Sequence, residues 1–349
     1  MTRLSKAPAS YGVSYQGSKN KIAAEVVYNI PSAPLLIDVF AGGGAITHAA
    51  LLSHRFGSIL ANDYDCGALQ LFYRASHGLI DFEEERKRWV SREDFKRLKD
   101  TDPIVRYHWS FSNGGINYLY SKEIEPYKRA YHFARNCNDR TEWNAIGFEK
   151  FEPTRLSIRD HAEEIKDIYI RWWHKHNRDE GDSEALKLRI SLKSLESLQS
   201  LKSLERLQRL QSLQRLQRLQ SLTISKADYK DIFVSEPTTV IYCDPPYINC
   251  DPSIYKDAIR ESGFNHAEFY DWCEAQKGLV VLSEYTAPAD RFTCVWSKEK
   301  RVLAGGAKYQ ITKVERLFVV KGHEDDYWDL MEAHKHSTLF DQDQRQAMI

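Results

Sequence analysis

Apolar positions in the first hundred residues alternate between short continuous runs and helical spacing. In "IAAEVVYNI" (22–30) they recur with the helical period, and Pro31 and Pro34 close the segment. "LLIDVF" then reads as a buried strand, "AGGG" as a turn, and "AITHAALLSHRF" as a helix. "GSILANDYD" repeats the strand pattern and ends in acids, and "CGALQLFYRASHGLI" repeats the helix. This alternation predicts βαβ units and an α/β fold with a parallel sheet. The pattern resumes with "TISKADYKDIF" and with "VIYC", which runs into "DPPY". "GLVVLSEY", "RFTCVWS" and "KVERLFVVKG" read as three further strands, the last two as a hairpin.

Between these halves the pattern changes. "YHWSFSNGGINYLYSKEIEPYKRAYHFARNCNDR" is aromatic, polar, basic and weakly periodic, which suits an inserted surface-reading module. "SLKSLESLQSLKSLERLQRLQSLQRLQRLQSL" (191–222) places leucine in every triplet. On an α-helix a step of three moves that leucine stripe by roughly 60° per repeat, so no single face stays apolar, and a strand period also fails. A helix or short coil serving as a spacer is expected. Its arginines are expected on a solvated face, with phosphate tracking as the alternative. The resulting division assigns 1–100 and 223–349 to a catalytic domain, 101–186 to an insertion and 187–222 to the repeat.

Length and charge narrow the class. A chain of 349 residues can hold a full core with an insertion, and its net charge is zero. The balance is local: from Lys187 to Leu222 eight cations stand against two carboxylates, giving +6, so a polyanion partner is not excluded. The six cysteines form no CxxC pair, which fits reduced thiols better than a disulfide framework or a zinc site. "MTRLSKAPAS" lacks an apolar signal core and no run reaches membrane-span length, so a soluble cytoplasmic protein is expected. His174 and His176 in "WWHKHN" lack further ligands, and no metal is expected.

Three stretches carry candidate chemistry. Gly42, Gly43 and Gly44 lie between strand and helix, where the backbone can turn tightly against a ligand. They do not follow the GxGxxG spacing of pyridine-nucleotide enzymes. Asp63, about twenty residues on, is spaced to grip a ribose hydroxyl pair, with a helix N-cap as the plainer alternative. At "DPPY" the prolines stop a strand and hold Asp244, the Pro245 carbonyl and the Tyr247 ring in a stiff corner at its carboxyl end. Two fixed acceptors can bind the two N–H groups of a planar amine such as adenine N6 and turn its lone pair out of the ring. A flat ring beside them can stack on an extruded base, worth roughly 1–3 kcal/mol.

Taken together, these motifs resemble the Dam-like family of adenine-N6 DNA methyltransferases. "YQGSK" resembles the family's YxGxK, which implies Tyr15, Gly17 and Lys19 beside the cofactor. "DVFAGGG" resembles its FxGxG loop, implying Asp38, Phe40, Gly42 and Gly44 around S-adenosylmethionine, with Asp63 on the ribose. "ISKADY" resembles the motif preceding DPPY and implicates Asp228, while "VLSEY" puts Ser283 at the edge of the base pocket. The resemblance implies a Rossmann-like S-adenosylmethionine-dependent methyltransferase fold with a mainly helical target-recognition insertion. Asp244, Pro245, Pro246 and Tyr247 are then the catalytic corner, with Asp244 also near the cofactor. Asn113, Tyr118, Lys128, Arg129 and Arg135 are candidate DNA contacts. Trp109, Phe111, Tyr120, Tyr127 and Tyr131 are aromatics able to stack on DNA or to fill a helical core. The triplet repeat departs from the family pattern, and "SFSNGGINYLYSKE" matches relatives only loosely, so no target sequence carries over. The expected activity is methylation of adenine N6 in double-stranded DNA after base flipping, by a monomer, with a cognate restriction endonuclease as a fitting partner. The rivals are another planar amine (cytosine N4, RNA, a protein amide) and a catalytically silent DNA-binding relative.

Overall fold

The apolar runs of the two flanks assemble into one seven-stranded sheet in the computed structural model, with strand order β3-β2-β1-β4-β5-β7-β6. The structure describes residues 10–13, 18–65, 67–111, 114–122, 124–153, 164, 167–168, 170–172, 175, 202–218, 221–247, 264–303 and 310–333. Strands β1 (Ala33–Asp38), β2 (Phe56–Asn62), β3 (Leu222–Ser225), β4 (Thr239–Cys243) and β5 (Leu279–Glu284) run parallel. Strands β6 (Phe292–Leu303) and β7 (Gln310–Val320) form the expected hairpin, and β7 enters antiparallel between β5 and β6. Every residue of β4 and β5 is buried, as expected of central strands covered on both faces. This is a Rossmann-like mixed α/β sheet, in agreement with the alternation read from the chain.

The chain divides into two compact units, Met1–His77 with Arg215–Ile349, and Gly78–Gln214. Sequence alone drew the corresponding lines at 100/101 and 222/223. In the first unit, helix α1 (Ala23–Tyr28) precedes β1, α2 (Ala45–Ser53) connects β1 to β2, α3 (Gly67–Ser76) follows β2, and His266–Ala275 forms a helix before β5. Ile37, Val39, Ile241, Cys243, Leu282 and Phe318 make a core on one sheet face with Phe269 and Tyr270 of that helix.

The second unit is helical. It contains α4 (Phe82–Lys87), α5 (Arg92–Leu98), α6 (Pro103–His108), α7 (Glu125–Asn136), α8 (Thr141–Ala145) and α9 (Lys202–Ser212). Side-chain caps explain several starts: Asp81, Ser91 and Asp102 each accept backbone N–H groups at the heads of α4, α5 and α6. Its aromatics fill two cores. Tyr127, Tyr131, Trp143 and Phe148 share one, and Trp109, Tyr118 and Tyr120 share the other with Phe95 and Val105. The core reading of these aromatics therefore holds for all of them except Phe111, which is exposed.

Candidate active site at the carboxyl edge of the sheet

Strand register gathers the site before any side chain is considered. Asp38 pairs with Tyr242, Tyr242 with Val281, and Ser283 with Leu317. Side chains alternate along strands, so Asp38, Asp244, Ser283 and Glu315 share one face at the sheet's carboxyl edge. Because β7 runs antiparallel, the early part of that strand, including Glu315, lies at this edge.

The glycine turn closes one side. Gly44 has φ +71 and precedes α2, and a Cβ there would stand 2.9 Å from the Phe72 ring. The Gly42 N–H donates to Asp63 Oδ2 at 2.8 Å, and the Asp65 N–H donates to Asp63 Oδ1 at 3.0 Å. The chain at 10–13 lies against this turn. Val13 N–H donates to Gly43 O at 2.7 Å, and Gly12 N–H donates to His48 Nδ1 at 3.0 Å. Phe40 packs in an aromatic cluster with Tyr229, Phe264 and Phe269. Asp228 accepts from Lys230 N–H at 3.1 Å and so caps the turn that presents Tyr229.

Asn62 was missed in the sequence. Its Nδ2 donates to Val39 O (3.1 Å) and Ala227 O (3.0 Å), and its Oδ1 accepts from Ser225 Oγ (2.7 Å) and Ala227 N–H (3.0 Å). One buried amide thus ties the ends of β1, β2 and β3, fixing the loops that carry Phe40, Asp63 and Asp228. The adjacent "ND" in "ANDYD" was its only trace.

Asp38 is almost fully buried and accepts from Thr47 Oγ1 through Oδ2 at 2.7 Å. Its Oδ1 has no hydrogen-bond partner among the described residues. Burial pushes its pKa up to about 7, against the pull of the Thr47 bond.

The Asp-Pro-Pro-Tyr corner is built around one ammonium. Lys19 Nζ reaches Asp244 Oδ1 at 2.8 Å and Glu315 Oε1 at 3.1 Å, and also donates to the Tyr247 hydroxyl. Three donors thereby meet three acceptors. Tyr247 donates to Glu315 Oε1 at 2.5 Å, and Ser283 Oγ donates to the same oxygen at 3.1 Å. Burial would lower the Lys19 pKa, but Asp244 and Glu315 reverse this and push it up, so the lysine stays charged. Burial raises Asp244 against the opposing pull of Lys19. For Glu315 the burial effect is outweighed by Lys19 and three hydrogen bonds, and its pKa falls. His266 Nε2 donates to the Pro246 carbonyl at 2.8 Å, holding the second proline from the start of its helix. Glu315 and His266 carried no motif and were also missed.

Tyr15, Gly17, Asn113, His174, His176 and, within the repeat, 191–201 and 219–220 lie outside the described residues. In the second unit the structure corrects two expected DNA contacts. Tyr118 is buried, with its hydroxyl donating to Val90 O at 2.7 Å, and Lys128 is buried with its pKa pushed down to about 7. An aromatic and basic composition did not distinguish core from surface here. Arg129 pairs with Glu142 at 2.9 Å, and Arg135 donates to the Tyr131 hydroxyl at 3.1 Å, both at the periphery. Phe111 and Ile116 stand 60 % and 61 % exposed on a loop closed by the Ser110–Tyr118 bridge. Among the described residues no cluster of three His, Cys, Asp or Glu could hold a metal, and no helix is long and apolar enough to cross a membrane.

Residues 15–167 match the family model of the D12 class N6 adenine-specific DNA methyltransferases. No curated protein matches the chain. The matched stretch contains Lys19, the glycine turn, Asp63 and the first part of the helical unit, and it ends before Asp244. Over these residues, under half of its length, the chain is thus similar to the adenine-specific DNA methyltransferases, consistent with the Dam-like resemblance: a family of enzymes that take a methyl donor and act on DNA.

Proposed function

We propose that this protein is an adenine-N6 DNA methyltransferase that uses S-adenosylmethionine and works on an adenine turned out of double-stranded DNA against the corner 244–247. The observation that carries this reading is the shared edge: Asp38 and Asp244 end adjacent parallel strands and lie on the same sheet face.

The residues fit the cofactor. Asp38 keeps a buried carboxylate oxygen without a partner, suited to an amino-acid ammonium, beside a turn where Gly44 leaves no room for a side chain. Asp63, fixed by Gly42 and Asp65, offers both oxygens to a ribose diol. Phe40 and the Asp228–Tyr229 turn flank the place for the adenine moiety. When bound, S-adenosylmethionine supplies a methyl carbon on a positively charged sulfur.

The chain's own part is to grip and orient the amine. Lys19 occupies Asp244 Oδ1, which leaves Oδ2 for one N6–H, while the Pro245 carbonyl takes the other. The ionised Asp244 also offsets positive charge growing on nitrogen during transfer. Tyr247 is held by its hydroxyl between Lys19 and Glu315, and its ring is the surface against which the flipped base stacks, flipping itself costing a few kcal/mol.

Replacing Asp244 with alanine removes the carboxylate and leaves the glycine turn untouched. Cofactor affinity should change by less than about 5-fold, while methyl transfer to DNA should fall by at least about 10³-fold. An Asp244→Ala enzyme that still methylates adenine would refute the assignment. Mass spectrometry of the product nucleosides distinguishes N6-methyladenine from N4-methylcytosine. In the helical unit, the exposed pair Phe111 and Ile116 is assigned to DNA contact. Phe111→Ala should weaken DNA binding by about 1–3 kcal/mol and leave cofactor affinity unchanged, as read by fluorescence anisotropy.

A further inference from the structure

Glu315 has no place in the motifs that marked the site, yet it touches Tyr247 of the corner directly and reaches Asp244 through Lys19. Its Oε1 receives the Tyr247 hydroxyl at 2.5 Å, Ser283 Oγ at 3.1 Å and Lys19 Nζ at 3.1 Å, and Lys19 in turn holds Asp244 at 2.8 Å. A solvated surface glutamate would not be placed this way. Glu315 is 2 % exposed, on a strand where the next described residue on this face, Leu317, is fully buried.

We propose that Glu315 is a positioning residue for methyl transfer, anchoring the Tyr247 ring through its hydroxyl and sharing Lys19 with Asp244 so that ring and carboxylate are set before the base arrives. This rests on the reading of 244–247 as the amine-gripping corner and adds a second carboxylate to it. The cost of burying Glu315 is met by three donors, and such a charge persists only where its partners are fixed. The arrangement also divides two roles between the two acids. Glu315 is the carboxylate that stays ionised and keeps the lysine charged. Asp244 retains 18 % exposure and meets the lysine through Oδ1, and its pKa is raised by burial, so it is the acid of the pair left to face substrate.

The charge has a readable consequence. The groups around Asp244 are Lys19 from the segment before α1, Asp38 from β1, Tyr242 from its own strand, Tyr247 from the corner, Glu284 from β5 and Glu315 from β7. Burial raises Asp244, Lys19 lowers it, and Glu315 raises it again. Removing the Glu315 charge therefore removes a raising influence, and Asp244 stays ionised to lower pH.

The test uses single-turnover methylation of a DNA duplex across pH, with Glu315→Gln and Glu315→Asp compared to wild type. Glu315→Gln keeps the shape and loses the charge. Its rate at neutral pH should fall about 10- to 100-fold, and its acidic limb should move to lower pH by about half a unit or more. Glu315→Asp keeps the charge and falls short of the Tyr247 hydroxyl, so its rate should drop while the limb stays near the wild-type position. Combining Glu315→Gln with Tyr247→Phe should cost less than the product of the single losses. Cofactor affinity should hold in every variant. An unshifted limb in Glu315→Gln, or fully multiplicative losses in the double variant, overturns the positioning role. Transfer surviving in Asp244→Ala would instead sink the corner itself, so the two failures are distinguishable.

Discussion

Asp38 shows how much one buried carboxyl can cost. An aspartate in an unfolded chain titrates near 4, whereas burial lifts this one to about 7 in the folded protein. The folded state thus holds the proton more tightly, and the stability this confers at low pH is lost as pH rises through 7. Asparagine in its place keeps an acceptor for Thr47 and cannot ionise. Asp38→Asn should therefore gain stability over wild type, and the gain should grow by about 2–3 kcal/mol between pH 5 and pH 8. The same change should weaken cofactor binding, because the oxygen without a partner is replaced by an amide. Thermal melts at the two pH values, with and without cofactor, check both halves. An asparagine advantage that stays constant with pH would mean Asp38 ionises as readily as in water. A steric case stands beside it at Gly12, which has φ +65 and where a Cβ would lie 2.5 Å from Gly43 O. Gly12→Ala should cost about 2–4 kcal/mol in urea unfolding, since neither the backbone carbonyl nor the dihedral can yield cheaply.

At the scale of elements the triplet repeat is the instructive case. A step of three cannot keep an α-helical face apolar. The chain meets this by changing helix type. Within α9 the buried positions are Ser203, Leu207 and Leu210, and from Leu213 to Arg218 the chain continues as a 3₁₀ helix in which Leu213 and Leu216 are buried. A 3₁₀ helix has three residues per turn, so triplet leucines line up on one face. The arginines were read as a solvated face or as phosphate contacts, and Arg206 is neither. Its guanidinium donates to the carbonyls of Tyr107 (3.3 Å), His108 (2.6 Å) and Ser110 (2.8 Å), which satisfies the end of α6. Arg206→Met should destabilise the helical unit by about 2–3 kcal/mol, whereas Arg209→Met on the exposed side should stay within about 0.5 kcal/mol. Equal effects in a denaturant titration would remove Arg206 from this role. What the sequence did reveal were features with local causes: the apolar runs of β1, β2, β4 and β5, the glycine turn, and the β6–β7 hairpin. Glu315 was hidden because its place depends on which hairpin strand lies against β5, a long-range choice that alternation along one strand does not encode. Tyr118 and Lys128 were misread for a related reason, since a weakly periodic aromatic stretch looks the same whether it faces water or another helix.

Across the whole molecule the two units carry opposite ionisation burdens. In the first, burial raises Asp38, Asp244 and Glu284, the last to about 8, so acidification to about pH 5 relieves these groups. His48 in the same unit opposes them, lowered to about 4 by burial. In the second unit the buried histidines and Lys128 are all shifted down, while Arg88 is raised, against burial, by Glu85 and Asp102. His108 is lowered to about 4, His132 is lowered, and Lys128 is lowered to about 7, each chiefly by burial, with a raised Glu125 as a partial offset. A histidine held neutral contributes stability that is full above its unfolded pKa near 6.5 and is lost as pH falls towards 4. Lysine 128 adds nothing that restores this loss, because its folded form also binds protons less readily. The unit 78–214 should therefore loosen first on acidification. Hydrogen exchange followed by mass spectrometry should show protection between pH 7.5 and pH 5 falling more, at matched intrinsic rates, in peptides from 78–214 than in those from 1–77 and 215–349. His108→Gln should flatten that loss in the helical unit, since one of the groups driving it can no longer titrate. The reverse order, with the sheet losing protection first, would mean that its buried acids do not hold their protons as their environment dictates.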